Sequence, residues 1–221
     1  MALKSAIASR SKKWRRVELR RIFRRLLCFN LYLNQAFTLH TRTSFDPSAL
    51  ADPTDAVARL RGAEVADSLA ALEPAELLSP WLQLTTSLTK HLSMTFGVRP
   101  GLIVLGEALE QGSAWERAAL QTDEPLYARH IALTIDQQPV VLARSVTTQG
   151  AGMQALTNLQ TRPLAELLFT DASWQRSGHT QYLCLPDGTS GRGIYWRNQT
   201  LPAGLLVEEF FLPSLLVKLG S

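Results

Sequence analysis

The sequence predicts an α+β fold on an antiparallel sheet. Two observations carry this: alternating apolar runs follow one another through hairpin signals, and helical patterns cluster before and midway through those runs. A third sets the scale. With 221 residues and 46% hydrophobic content, the chain suffices for one domain with a buried core and something extra.

Taken in order, residues 12–29 read "KKWRRVELRRIFRRLLCF", with Leu19, Ile22, Phe23 and Leu26 at helical spacing among arginines. This is the pattern of a basic amphipathic helix. It suits a peripheral contact with an anionic membrane surface, an organelle transit peptide, or an upstream extension of no structural consequence. Residues 46–79 are rich in Ala, Asp and Pro and read as a linker with a short helix. The organised domain is expected over 80–221. It opens with one helix from Ser79-Pro80 to Gly97, placing Trp81, Leu84, Leu88 and Leu92 on a face. Strand-like runs follow: "GLIVLGEALEQG", "EPLYARHIALTI", "PVVLARSVTT", "SGHTQYLCLPDG", "GRGIYWRN" and "AGLLVEEFFLP". "IDQQPV" marks a hairpin, and "GMQALTNLQTRPLAELLF" is helical with a break at Pro163.

Charge divides the chain. Residues 1–45 carry 11 Lys+Arg against one acid, Glu18, whereas 46–221 carry 12 basic and 18 acidic residues, a net charge of −6. A nucleic-acid surface would have to lie in the leader alone, and no helix-turn-helix pair is evident there, so no nucleic-acid partner is expected. Cys28 and Cys184 form no disulfide framework, and the four histidines lack metal-ligand spacing. No phosphate-binding loop, dinucleotide fingerprint or nucleophile elbow is present. The expectation is a cytoplasmic protein, with no apolar run of membrane-spanning length.

The chemistry concentrates in three strands. Within "LLVEEFF" the adjacent Glu208 and Glu209 must point to opposite faces, so at least one shares a face with buried residues. Alternation places Arg129 with Tyr127, Ile131 and Leu133, and Arg144 with Val140, Leu142 and Val146. Two cations and a carboxylate then converge if the strands are neighbours. Alternation leaves two readings open: a buried salt-bridge cluster, or a closed pocket in which arginine takes a carboxylate ligand bidentately.

The ordered set "YARHIAL", "DQQPVVLARSV", "LQTRPLAELLF", "GRGIYW" and "LLVEEFFLP" resembles the chorismate pyruvate-lyase family, from about Pro80 to Pro213. The resemblance implies an antiparallel sheet of about six strands, helices on one face, and helical flaps over an enclosed ligand. It implies a cofactor-independent, metal-free carbon–oxygen lyase that eliminates pyruvate from chorismate to give 4-hydroxybenzoate for the ubiquinone ring. It assigns Arg129 to the substrate carboxylate and Glu209 to the hydroxyl and ether end. "SLTK" puts Leu88 where the family's backbone contact falls, and "RPL" supplies Leu164. Arg144 is expected to join them on the substrate, and Glu208 to face solvent or a sheet edge. Glu209, desolvated, is expected either to hold a proton for the departing ether oxygen or to hydrogen-bond the 4-oxygen and orient the substrate. The working unit is expected to be a monomer. The competing reading is a non-catalytic ligand-binding domain of the same fold, as in the effector domains of one class of bacterial repressors.

Overall fold

The computed structural model describes residues 52–221. The chain divides into two units, Met1–Phe45 and Asp46–Ser221, and the described residues belong to the second. The expected basic leader helix and its membrane contact therefore lie outside the described residues.

The second unit is α+β, with a single seven-stranded antiparallel sheet in the order β1-β5-β6-β7-β4-β3-β2. Its strands are β1 (Glu64–Ala66), β2 (Gly101–Glu110), β3 (Leu126–Ile135), β4 (Gln138–Thr147), β5 (Trp174–Cys184), β6 (Ser190–Asn198) and β7 (Gly204–Phe211). Six match the expected runs. The seventh, β1, pairs Val65 with Leu183 at the edge, in the stretch expected to be linker. From Asp52 onward that stretch is built into the domain. Helix α1 (Pro53–Arg61) buries Ala56, Val57 and Leu60, and Leu78 joins the core further on. Asp52 caps α1, its side chain accepting from Thr54 N at 2.8 Å. The domain boundary thus lies upstream of Pro80.

The β3–β4 hairpin turns on Asp136 and Gln137, both at positive φ (51° and 64°), as a tight two-residue connection requires. Ile135 pairs with Gln138 and Thr134 with Pro139, but Leu133 pairs with Val141. The extra residue, Val140, is a bulge. Beyond it every β4 side chain is shifted by one place against β3, so Arg129 lies opposite Ser145 and His130 opposite Arg144.

This bulge sorts the two faces. One face carries Arg129, Ile131 and Leu133 of β3, Ala143 and Ser145 of β4, Val207 and Glu209 of β7, and Arg192 and Ile194 of β6. Two helical groups flank it. On one side are α2 (Ser79–Leu82), α3 (Leu88–Phe96) and α7 (Pro213–Leu219), whose Trp81, Leu92 and Leu215 pack on Leu133, Val141 and Phe211. On the other are α5 (Ala151–Thr157) and α6 (Leu164–Thr170), whose Leu156, Leu164 and Leu168 pack on Trp196, Leu205 and Val207. The reverse face is also covered. There α1 sets Ala56 and Leu60 against Ala132, Leu142 and Phe210, and α4 (Ala114–Leu120) sets Leu120 against Leu126, Val146 and Leu206. Helices therefore cover both faces. Helix α4 escaped the sequence reading, although Ser113 and Glu116 form a full capping box at its start.

The single helix expected from Ser79 to Gly97 is two helices. Residues 83–87, "QLTTS", interrupt it: β-branched Thr85 and Thr86 disfavour helix, and Ser87 caps the second segment by accepting from Lys90 N at 3.3 Å. Gly97, at φ 69°, closes that segment as expected. Among the described residues no helix is long and apolar enough to cross a membrane.

Candidate functional site

The front face of the sheet and its two helical groups enclose a cavity of about 620 Å³, counting its open mouth. Strands supply Ile131, Ala143, Ser145, Arg192 and Glu209; the α2–α3 break supplies Thr85 and Thr86; α6 supplies Leu164 and Leu168. The first turn of α3 contributes Leu88 and Thr89. Because the helix begins there, backbone N–H groups without intrahelical partners lie at the cavity wall.

Of the expected residues, Glu209, Leu88 and Leu164 line this cavity. Glu209 is held by a residue the sequence reading left without a role. Its Oε2 accepts from Arg192 Nε at 2.7 Å and lies 2.6 Å from Nη2. Arg192 is fully buried and also donates through Nη1 to the carbonyl of Leu84. Glycines bracket it for a packing reason. A Cβ at Gly191 would meet Phe210 Cδ1 at 2.3 Å and the Glu209 carbonyl at 2.7 Å. The clue in "GRGIYW" was an alternating strand that carries one cation between two glycines.

Arg129 sits beside the cavity, opposite the lining residue Ser145. It is buried, and its Nη2 donates to the carbonyls of Gln160 and Arg162 in the loop before α6. Its Nε lies 3.2 Å from Glu107 Oε1 but makes no hydrogen bond. A buried guanidinium N–H without an acceptor is costly and therefore disposed toward an anion. Glu107 also accepts from Tyr127 Oη at 3.0 Å, and burial together with that carboxylate pushes the Tyr127 phenol up to about 12.

A second unassigned cation, Arg176 of β5, lines the cavity near Glu209 and donates to Thr180 Oγ1. Burial first, and the neighbouring charge of Arg192 second, lower its pKa from the usual arginine value.

Arg144 is not in this site. The Val140 bulge turns it to the reverse face, where its Nε reaches Glu116 Oε1 at 2.9 Å and its Nη1 reaches Glu110 Oε2 at 2.6 Å. His130 Nε2 lies 2.5 Å from the same Nη1, and Arg61 completes the cluster on Glu110 Oε1 at 2.6 Å. Here the expectation for Glu208 also fails. It is 1% exposed, with Oε1 lacking a hydrogen-bond partner and the side chain bonded to Glu116. Burial, then the charge of Glu116, push its pKa well above the usual carboxylate range. That shift favours the protonated, uncharged form. Glu116 remains below its usual value because Arg144 outweighs the cost of burial. Burial and Arg144 press His130 down to about 4, and it stays an uncharged acceptor for Arg144. Among the described residues no group of three His, Cys, Asp or Glu side chains is placed to hold a metal ion.

Residues 64–220 match the family model described as chorismate lyase. The chain is 31% identical over 166 residues to a probable chorismate pyruvate-lyase of Pseudomonas savastanoi, covering 64% of this chain and 83% of that protein. It is 29% identical over 162 residues to a probable chorismate pyruvate-lyase of Azoarcus, covering 63% and 85%. With the chorismate pyruvate-lyase of Salmonella newport it shares 29% over 164 residues, covering 72% and 95%. The ligand-binding domain of a GntR-family regulator from Bordetella bronchiseptica overlays with a TM-score of 0.37 and 13% identity, over 52% of this chain and 86% of that one.

Proposed function

The chain belongs to the chorismate lyase family, and on that premise we propose that it eliminates pyruvate from chorismate and releases 4-hydroxybenzoate, a ring that can enter ubiquinone synthesis. The observation that carries this reading is a carboxylate and a buried guanidinium on one concave face. Glu209 on β7 and Arg129 on β3 stand two strands and two residues apart. Strand spacing then sets their Cα atoms about 12 Å apart, room for one six-membered ring between the side chains.

In this reading the ring carboxylate takes Arg129, exchanging the Gln160 and Arg162 carbonyls for charge-assisted bonds and supplying the acceptor its Nε lacks. The α3 first turn at Leu88 adds backbone N–H groups at the same wall. Leu164 and Ile131 pack against the ring. Glu209 accepts from the ring hydroxyl at the far end. The hydrogen bond from Arg192 Nε and the close ion-pair contact of its Nη2, both on Oε2, make that oxygen an acceptor, which favours orientation of the substrate over donation of a proton to the ether oxygen. The reaction breaks the C3–O bond and the C4–H bond. The electron pair of C4–H closes the aromatic ring and its proton passes to water, the C3–O pair leaves on oxygen as the enolate of pyruvate, and that enolate takes a proton from water at its methylene carbon to become pyruvate. Aromatisation drives the step, and no electron sink is required.

The test is direct. The purified chain is mixed with chorismate in the absence of added metal or nucleotide, and 4-hydroxybenzoate is followed by absorbance while pyruvate is measured separately. Equimolar formation of the two is expected. Tight binding of chorismate with no turnover would replace this reading with a non-catalytic ligand-binding role.

A further inference from the structure

The charges lining the cavity do not balance. Glu209 is its carboxylate, and Arg192 spends its Nε, Nη1 and Nη2 donors on Glu209 and the Leu84 carbonyl. Arg176 is left facing the same space, its guanidinium donating to the Thr180 hydroxyl. A β-bulge shapes this corner. β5 pairs Ser177 with Tyr195 and then resumes at Gln181 with Gly193, so residues 178–180 arch away from the ladder, with Gly178 at φ 76°. The arch brings Thr180 back within reach of the Arg176 guanidinium. The side chain is thereby directed along the strand toward the Arg192–Glu209 pair. Half-buried and next to a second guanidinium, it gains most from an anion that enters with the ligand.

We infer that Arg176 forms a second carboxylate subsite, at the Glu209 end of the cavity, which receives the carboxylate of the side chain that leaves. This deepens the proposed function and rests on it. A substrate of this reaction is a dianion, with one carboxylate on the ring and one on the enolpyruvyl ether. Arg129 and Arg176 lie on opposite sides of β7, on β3 and β5, so one cation serves each carboxylate. The ring product keeps only the first. Arg176 also stabilises the enolate that forms when the C3–O pair departs, because the enolate oxygen is on the carbon that bears the carboxylate it holds. Once the bond is broken, nothing on the ring product engages Arg176. The subsite therefore distinguishes substrate from ring product.

The experiment measures equilibrium binding of two unreactive aromatic probes to the full chain and to Arg176→Met, which keeps the length of the side chain. The monocarboxylate is 4-hydroxybenzoate. The dicarboxylate is 3-(carboxymethoxy)-4-hydroxybenzoate, which adds an oxyacetate where the ether would be. Arg176→Met is expected to weaken the dicarboxylate about ten- to hundredfold, the worth of a charge-assisted contact, and to leave the monocarboxylate within about threefold. Arg176→Lys should restore part of the loss. Equal effects on both probes, no effect on either, or a dicarboxylate that binds the parent chain no better than the monocarboxylate would overturn the subsite. Chorismate turnover by the parent chain is scored separately, so failure of the reaction and failure of the subsite are distinguishable.

Discussion

The two faces of one sheet hold nearly the same residue types and use them differently. On the reverse face Arg144 and Arg61 meet Glu116, Glu110 and the buried Glu208, with His130 accepting, and α1 and α4 cover the cluster. Every cation there has a carboxylate. On the front face Arg192 and Glu209 pair at the wall of a cavity and Arg129 pairs with Glu107 but leaves its Nε without a hydrogen bond, while Arg176 has no paired carboxylate. A closed, balanced cluster fixes structure, whereas a cationic excess beside a cavity invites an anionic ligand. Glu208 and Glu209 are consecutive residues, and strand alternation alone assigns one to each use.

The largest effect expected from breaking this contrast is on stability. Arg144→Ala leaves Glu116 and Glu110 without their central cation and should cost about 3–5 kcal/mol, read as a loss of Tm and of denaturant midpoint. If activity were lost with stability unchanged, Arg144 would belong to the front face after all. Next, Arg129→Ala should weaken 4-hydroxybenzoate about ten- to hundredfold with a smaller effect on folding, measured by calorimetry.

The pH dependence of stability separates the faces further. His130 titrates near 6.5 unfolded and at about 4 folded, so its contribution is complete above pH 6.5 and is lost as pH falls through about 4. Burial pushes Glu110 up, but hydrogen bonds from Arg61 and Arg144 hold it at about 2, and its contribution disappears between 4.5 and that value. Glu208 runs the other way. Its pKa is raised in the folded chain, so the stability tied to its proton is lost as pH rises through the folded value. Melting curves across pH for the parent chain, His130→Gln and Glu208→Gln should show the acid limb flattened in the first variant and the alkaline limb in the second. The smallest effect is expected from the leader. Deleting residues 1–45 should leave turnover within about threefold, well under the tenfold that 1.4 kcal/mol represents.

Much of this was legible in the sequence. The apolar alternation of "YARHIAL" and "LLVEEFF" marks β3 and β7 and puts Arg129 and Glu209 on like-facing positions, and "IDQQPV" marks the turn. What misled was register. An unbulged two-residue hairpin would pair Arg129 with Arg144, and Val140 is what shifts the pairing to Ser145. Alternation states parity within a strand; only the register relates one strand to the next. Glu208 was misjudged for a related reason. Its partners, Glu116 and Arg144, come from a helix not recognised and a strand assigned to the wrong face. Arg192 went unweighed because its chemistry depends on pairing with Glu209 across β6 and β7. The edge strand β1, three residues long, is below what alternation can detect.

The central claim is that parity along β7 divides chemistry from structure, and two isosteric substitutions test it. Steady-state kinetics with chorismate are measured for Glu209→Gln and Glu208→Gln, each verified as folded by circular dichroism. Glu209→Gln weakens the carboxylate held by Arg192 at the reacting end and should lower kcat/KM on the order of a hundredfold. Glu208→Gln changes a buried carboxyl on the reverse face, away from the cavity, and should keep kcat/KM within about threefold at pH 7. Equal losses, or the greater loss at Glu208, would contradict the account.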